Sequence, residues 1–132
     1  MGNMDKKGTY LVFGVMRCDL PGTAELHFSM LVFSASGRVT GHATVSRPSV
    51  AGNPQMTINN LTGEIFSAAQ GGYTRLVTLR GTSYFDGRPH AVAIEEVSFN
   101  AVLALDDDWN GIGGFSCGPA YAENATVEHT PV

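Results

Sequence analysis

TAELHFSMLVFSASGRVTGHATVSR, residues 23–47, decides the fold class. Two runs rich in large apolar and β-branched side chains flank Ser36-Gly37, a two-residue hairpin signal. With that turn Phe28 faces Val45, Met30 faces Ala43, Val32 faces Gly41 and Ser34 faces Val39, which makes one apolar face. The opposite face sets His27 against Ser46, Ser29 against Thr44, Leu31 against His42 and Phe33 against Thr40, and it is mostly polar. Strand side chains alternate with period 2, so a slip of one residue would scramble both faces. Their coherence argues for a half-buried antiparallel hairpin.

The same pattern continues on either side. Residues 9–18 read as a strand, closed by the turn Asp19-Leu20-Pro21-Gly22. Residues 48–54 are a loop with two prolines. Residues 55–69 are β-like with an irregularity at Asn59-Asn60, a bulge or a corner. Gly71-Gly72 turns into a strand over 73–85, Asp86-Gly87-Arg88-Pro89 turns again, and 90–105 forms a long strand. A polar loop over 106–111 leads to a short last strand over 112–118. No segment combines a 3.6-residue period with a helix cap. The organisation read from this is a flexible segment over 1–8, a single β domain over 9–119 and a tail over 120–132. The fold class is all-β, an antiparallel up-and-down meander closing into a barrel of seven or eight strands, with a two-sheet sandwich as the alternative.

Composition supports closure. The chain has 132 residues, 16 of them Gly, and 15% charged residues against a usual value of about 25%. Its only lysines are Lys6 and Lys7. Open sheets defend their edges with lysine among other devices, and here edge lysines are missing, so the edges are expected to meet each other. Gly41, Gly63 and Gly81 inside strands fit a strongly curved sheet. The net charge is -4 and the six arginines are scattered, so no basic stripe is present for nucleic acid. No apolar run approaches the ~18 residues of a membrane helix. The start of the chain has no apolar core of a secretory signal, and a cytoplasmic location is expected.

Several residues carry candidate chemistry. Asp106-Asp107-Asp108-Trp109-Asn110-Gly111 matches the first half of a calcium loop, with Asp106, Asp108 and Asn110 as the oxygen donors. The twelfth position is Cys117 where such loops place a bidentate Glu. The competing reading is an acidic turn in which Asp and Asn cap their own backbone. Gly111-Ile112-Gly113-Gly114 has the glycines of a phosphate cradle but precedes a strand, not a helix. None of the four histidines sits at a metal-binding spacing. Glu64 and one of Glu95 or Glu96 could project into a barrel, with Arg75 or Arg80 as ion partner. Glu64, Arg80, Tyr84 and Glu96 are therefore candidate ligand-binding residues, in a pocket lined by Phe28, Met30 and Val32 on one side and Phe99 and Leu103 on the other. In a closed barrel Cys18 and Cys117 would lie on neighbouring strands, either bridged or as two small apolar side chains.

Residues 31–44, LVFSASGRVTGHAT, resemble the early hairpin of avidin-like barrels, and Leu61-Thr62-Gly63-Glu64 resembles a second strand of that family. Biotin binding there rests on several tryptophans, and this chain has only Trp109, in a turn. The resemblance thus implies barrel geometry and not biotin. Leu76-Val77-Thr78-Leu79-Arg80-Gly81-Thr82, together with Asp108-Trp109-Asn110-Gly111 and Gly114-Phe115-Ser116, is similar to a bacterial family of small proteins of unknown function, over most of the chain. It implies no activity and no site residues. The functional expectation is a non-catalytic module that binds a small apolar or amphipathic ligand or a protein. The alternatives are a self-associating protein, such as a homodimer, and a barrel-type enzyme using Glu64, Tyr84 or His42 as acid and base.

Overall fold

The computed structural model describes residues 8–18, 23–47, 55–85, 95–118 and 120–130, with the backbone alone at 84, 85 and 95. Eight strands follow in order: β1 (Thr9–Arg17), β2 (Glu25–Phe33), β3 (Arg38–Ser46), β4 (Gln55–Gln70), β5 (Tyr73–Phe85), β6 (Glu95–Leu105), β7 (Gly111–Cys117) and β8 (Ala120–His129). Each pairs antiparallel with the next, and β8 returns to β1, so the sheet is a closed barrel and not a sandwich. The seam is short. Gly14–Arg17 pair with Thr126–His129, and the Thr130 N–H adds one bond to the Phe13 carbonyl at 2.8 Å. No helix among the described residues is long and apolar enough to cross a membrane.

The deciding hairpin forms with a longer turn than its sequence suggests. Phe33 pairs with Arg38, so Ser34–Gly37 make a four-residue loop, and Phe28 faces Ala43, Met30 faces Gly41 and Val32 faces Val39. The Phe33 carbonyl accepts the N–H groups of Ser36 at 3.3 Å and Gly37 at 2.9 Å. Only Gly37 takes a positive φ, +71°. A two-residue type I′ turn would have forced Ser36 into the left-handed region as well, which a side chain disfavours. The register moves by two residues, which preserves strand parity. Leu26, Phe28, Met30, Val32, Val39, Ala43 and Val45 are accordingly all buried on one face.

The other correction concerns residues 120–129, expected as part of a tail. They form β8 and close the barrel. Ala120 and Ala122 point inward, then Ala125 and Val127, a phase change that places Glu123 and Asn124 opposite Gly114 in a β-bulge. Asn124 absorbs the bulge with φ +52°. The period-2 signal is therefore broken in mid-strand, and its inward residues are mostly alanines, which have low β-propensity. The irregularity at Asn59-Asn60 is also a bulge, lying opposite His42.

Inward positions of all eight strands form one apolar cluster. Small and large residues alternate so that neighbouring backbones can approach. A Cβ at Gly63, for example, would collide with the Thr78 carbonyl oxygen of the adjacent strand. Because β8 stands between β1 and β7, Cys18 and Cys117 are not on neighbouring strands, and both are free thiols. Cys117 is buried, and desolvation raises its pKa. The Cys18 Sγ donates to the Glu123 carbonyl at the β8 bulge, at 3.3 Å.

Candidate functional site

Strand register separates the candidate ligand residues. Thr62 lies opposite Arg80 and Glu64 opposite Thr78, so Glu64 and Arg80 are diagonal neighbours on the outer wall of β4 and β5. They form a bidentate pair, with Nη1 to Oε1 at 2.9 Å and Nη2 to Oε2 at 3.1 Å. The Arg80 hydrogen bond is the main cause holding the Glu64 carboxyl below its ordinary pKa, against some desolvation, with the charges of Arg80 and Arg38 adding to it. Of the two arginines expected as partners for Glu64, it is Arg80 that pairs, and the pair faces solvent, with 55% and 37% of the two side chains exposed, and not the interior. Glu96, also exposed, pairs through the backbone with Tyr84, four residues beyond Arg80 and about 13 Å along the strand. The Tyr84 side chain lies outside the described residues. His42 is exposed at the β3–β4 bulge, four residues from the strand position opposite Glu64. Glu64, Glu96 and His42 thus occupy separate places on the outer surface.

Among the described residues, the side chains expected to line an interior pocket leave no room for one between them. Phe28, Met30, Val32, Phe99 and Leu103 are each 3% exposed or less. A void large enough for water would appear as accessible surface on its lining. These side chains fill the space between the walls instead, as an eight-stranded barrel allows.

The acidic loop follows the self-capping reading. Asp106 Oδ1 accepts the N–H groups of Asp108 at 2.8 Å and Asn110 at 3.0 Å. Asn110 Oδ1 accepts the His129 N–H at 2.8 Å, which ties the turn to the end of β8. Asp107 Oδ1 accepts the Thr74 hydroxyl at 2.6 Å. Among the described residues, no group of three or more His, Cys, Asp or Glu could hold a metal ion. The turn instead positions Trp109, with φ +66°, as a fully buried plug at this end of the barrel. The Arg75 guanidinium stacks 5.1 Å from the indole centroid and lies 3.7 Å from Asp107, and the Tyr10 ring meets the indole edge-on at 6.5 Å. Indole Nε1 finds no acceptor among the described residues.

Among the described residues, the outer wall of β6, β7 and β8 has room for a ligand. Two open depressions of about 330 Å³ each lie side by side there and share Val102, Gly114 and Glu123. Register explains them: Val102 lies opposite Gly114, and the β8 bulge lies on the other side of that glycine. Gly114 contributes no side chain to the outer face, so bare backbone forms the floor between Val102 and Glu123. Val102 is 52% exposed, Ile112 47% and Tyr121 62%. The neighbouring outward residues Asn100, Ala104 and Ser116 carry no charge. None of these wall residues was legible as a site. Their signal is an outward row of strand positions that is apolar where solvent would favour polar side chains, and reading it requires the strand pairing.

Residues 7–125, from the start of the barrel into β8, match the family described as Domain of unknown function (DUF1842). The chain belongs to the DUF1842 family. No curated protein matches it. The family span takes in the wall, the Glu64–Arg80 pair and the Trp109 plug, so an all-β family of unknown function, as expected from the sequence, now has an eight-stranded barrel as its architecture here.

Proposed function

We propose that this DUF1842 chain is a non-catalytic binding module whose interaction surface is the outer wall of β6–β8, and that the barrel interior serves as its rigid support. The carrying observation is the largely apolar trough over Gly114, flanked by Val102 and Ile112 at about half exposure, with Glu123 as its one charged lining residue. An exposed apolar patch with a depression and few charges has the character of an interface core. The close packing of Phe28, Met30, Val32, Phe99 and Leu103 argues against a small-ligand site between them. A rigid wall built on paired strands holds such a surface at little ordering cost.

Titration of the labelled protein with p-cresol, an uncharged aromatic probe, tests this by amide NMR. The expected result is shifts at Val102, Gly113, Gly114 and Glu123 that disappear in Val102→Glu. Shifts at interior positions away from the wall, such as Phe28 and Met30, or none on the wall, would overturn the reading.

A further inference from the structure

We infer that β4 takes up an extended peptide segment of another protein, along the backbone edge that it turns toward β5 at Gln55 and Thr57. This concerns a different part of the barrel from the β6–β8 wall and does not rest on the reading of that wall. The β4–β5 ladder starts at Thr62 opposite Arg80 and runs from there toward the Gly71-Gly72 turn. On the other side of that pair both strands continue, each bound only to its outer neighbour. Residues 55–58 pair with residues 43–46 of β3, and residues 81–85 pair with residues 95–99 of β6. Where the ladder stops, the Asn60 side chain stands in for it. Its Nδ2 donates to Thr82 Oγ1 and its Oδ1 accepts the Thr82 N–H, both at 2.9 Å. Beyond this clip the strands fork, and among the described residues nothing pairs with either inner edge.

Register tells which backbone groups line the fork. Residues of an antiparallel strand turn their N–H and C=O groups to alternate sides. The Ile65 N–H bonds to the Gly37 carbonyl at 2.7 Å, so Ile65, Gly63 and Leu61 bond toward β3. The bulge opposite His42 adds one residue to β4, after which Ile58 and Met56 bond toward β3. The backbone groups of Gln55 and Thr57 therefore point into the fork. On β5 the Thr82 N–H sets the parity, so the Tyr84 backbone points into the fork and that of Ser83 toward β6. Gln55 and Thr57 are exposed whereas Thr82 is half-buried, which makes the β4 edge the accessible one.

The chemistry of this edge selects its occupant. Gln55 and Thr57 present two N–H donors and two C=O acceptors that repeat every second residue, about 6.8 Å. An extended polypeptide carries the same repeat, which is the basis of strand addition to an open edge. Such edges are ordinarily blunted by lysine, other charges or proline, and residues 55–61 contain none of these. The net charge of -4 disfavours an acidic segment. Met56 and Ile58, on the inner face beside the edge, are buried, so the incoming strand sets small apolar side chains on that face and polar ones outward. The fitting partner is a neutral or basic segment in which polar and small β-branched residues alternate.

The probe is the capped peptide Arg-Thr-Val-Thr-Val-Thr, tested on the labelled full chain by amide NMR. In the free chain the Thr57 and Tyr84 amides are expected to exchange quickly, and those of Ile58 and Ser83, bonded into the flanking ladders, slowly. Slow exchange at Thr57 would mean that the edge is already paired within the chain, and would overturn the inference. The peptide is expected to shift the Gln55 and Thr57 amides and to slow Thr57 exchange several-fold. Its affinity is expected in the millimolar range, because few hydrogen bonds form against the cost of ordering a free peptide. N-methylation of its threonines, whose N–H groups meet the edge, is expected to abolish the shifts. Thr57→Pro is expected to do the same, and the fold tolerates it because the lost N–H takes no part in the β3 ladder. Thr57→Val keeps the N–H and is expected to bind as the parent chain does. Far-UV circular dichroism confirms that both variants are folded. No shift at millimolar peptide, equal shifts with the methylated peptide, or binding retained by folded Thr57→Pro would each overturn the inference. Thr57→Pro leaves the p-cresol shifts on the wall unchanged, so the two readings fail separately.

Discussion

Trp109 allows a sharp test because two opposing terms meet at one residue. It is fully buried, and its Nε1–H has no acceptor among the described residues. Trp109→Phe removes roughly 40 Å³ of side chain, which at about 24 cal/mol per Å³ of residual cavity costs about 1 kcal/mol, plus a smaller loss of transfer free energy. It also weakens the stacking of Arg75, by about 0.5 kcal/mol at a partly desolvated site. Against this, it eliminates a buried unpaired donor whose burial costs about 1–3 kcal/mol. The terms nearly cancel, so Trp109→Phe is expected within about 1 kcal/mol of the parent chain. Trp109→Ala has no such compensation of volume and is expected to lose about 3–5 kcal/mol. Urea unfolding followed by far-UV circular dichroism gives both values, at constant m. A loss above about 2 kcal/mol for Trp109→Phe would show that the indole N–H is bonded in the folded state, and would refute the reasoning.

Three further outcomes follow from the geometry. Asp106→Ala orphans the N–H groups of Asp108 and Asn110 and is expected to cost about 1–2 kcal/mol, while Asp106→Asn, which keeps an acceptor oxygen, costs less than half of that; added calcium should leave the melting temperature unchanged, since no group of three or more His, Cys, Asp or Glu among the described residues could hold a metal ion. Glu64 has a lowered folded pKa, so its contribution is present above the ordinary value of 4.5 and is lost as pH falls through the lower folded value; Glu64→Gln should flatten that part of the acid-unfolding profile, slightly and less so in high salt, because the pair is exposed. Cys117 is buried with a raised pKa, so a thiol reagent should label Cys18 in the native protein and reach Cys117 only on unfolding; rapid double labelling would contradict the packing around β7.

Much of the barrel could be read locally. The alternation in residues 25–46 assigned the buried face correctly even though the turn was two residues too short, because a shift of two leaves parity unchanged. β8 was missed for the converse reason. A bulge at Glu123–Asn124 reverses parity halfway along a strand whose inward residues are mainly alanine, so neither half carries enough signal to be recognised. An arginine partner for Glu64 was legible from charge alone, but neither the choice between Arg75 and Arg80 nor the side of the wall was. Glu64 lies on the parity opposite to Leu61 and Gly63, and only the closed sheet settles which parity faces inward.

The sequence by itself determined that this chain is a glycine-punctuated antiparallel sheet with no lysine along its strands, because period-2 patterning and turn chemistry act over a few residues. Tertiary structure decided the rest. It made β8 the strand that closes the seam, turned Trp109 from a loop residue into the plug of one end, filled the interior, and brought Val102, Gly114, Tyr121 and Glu123 together on one outer wall. Those four residues come from three strands, and their proximity follows from register and from one bulge. Both depend on how neighbouring strands align across the sheet, which no single stretch of the chain contains.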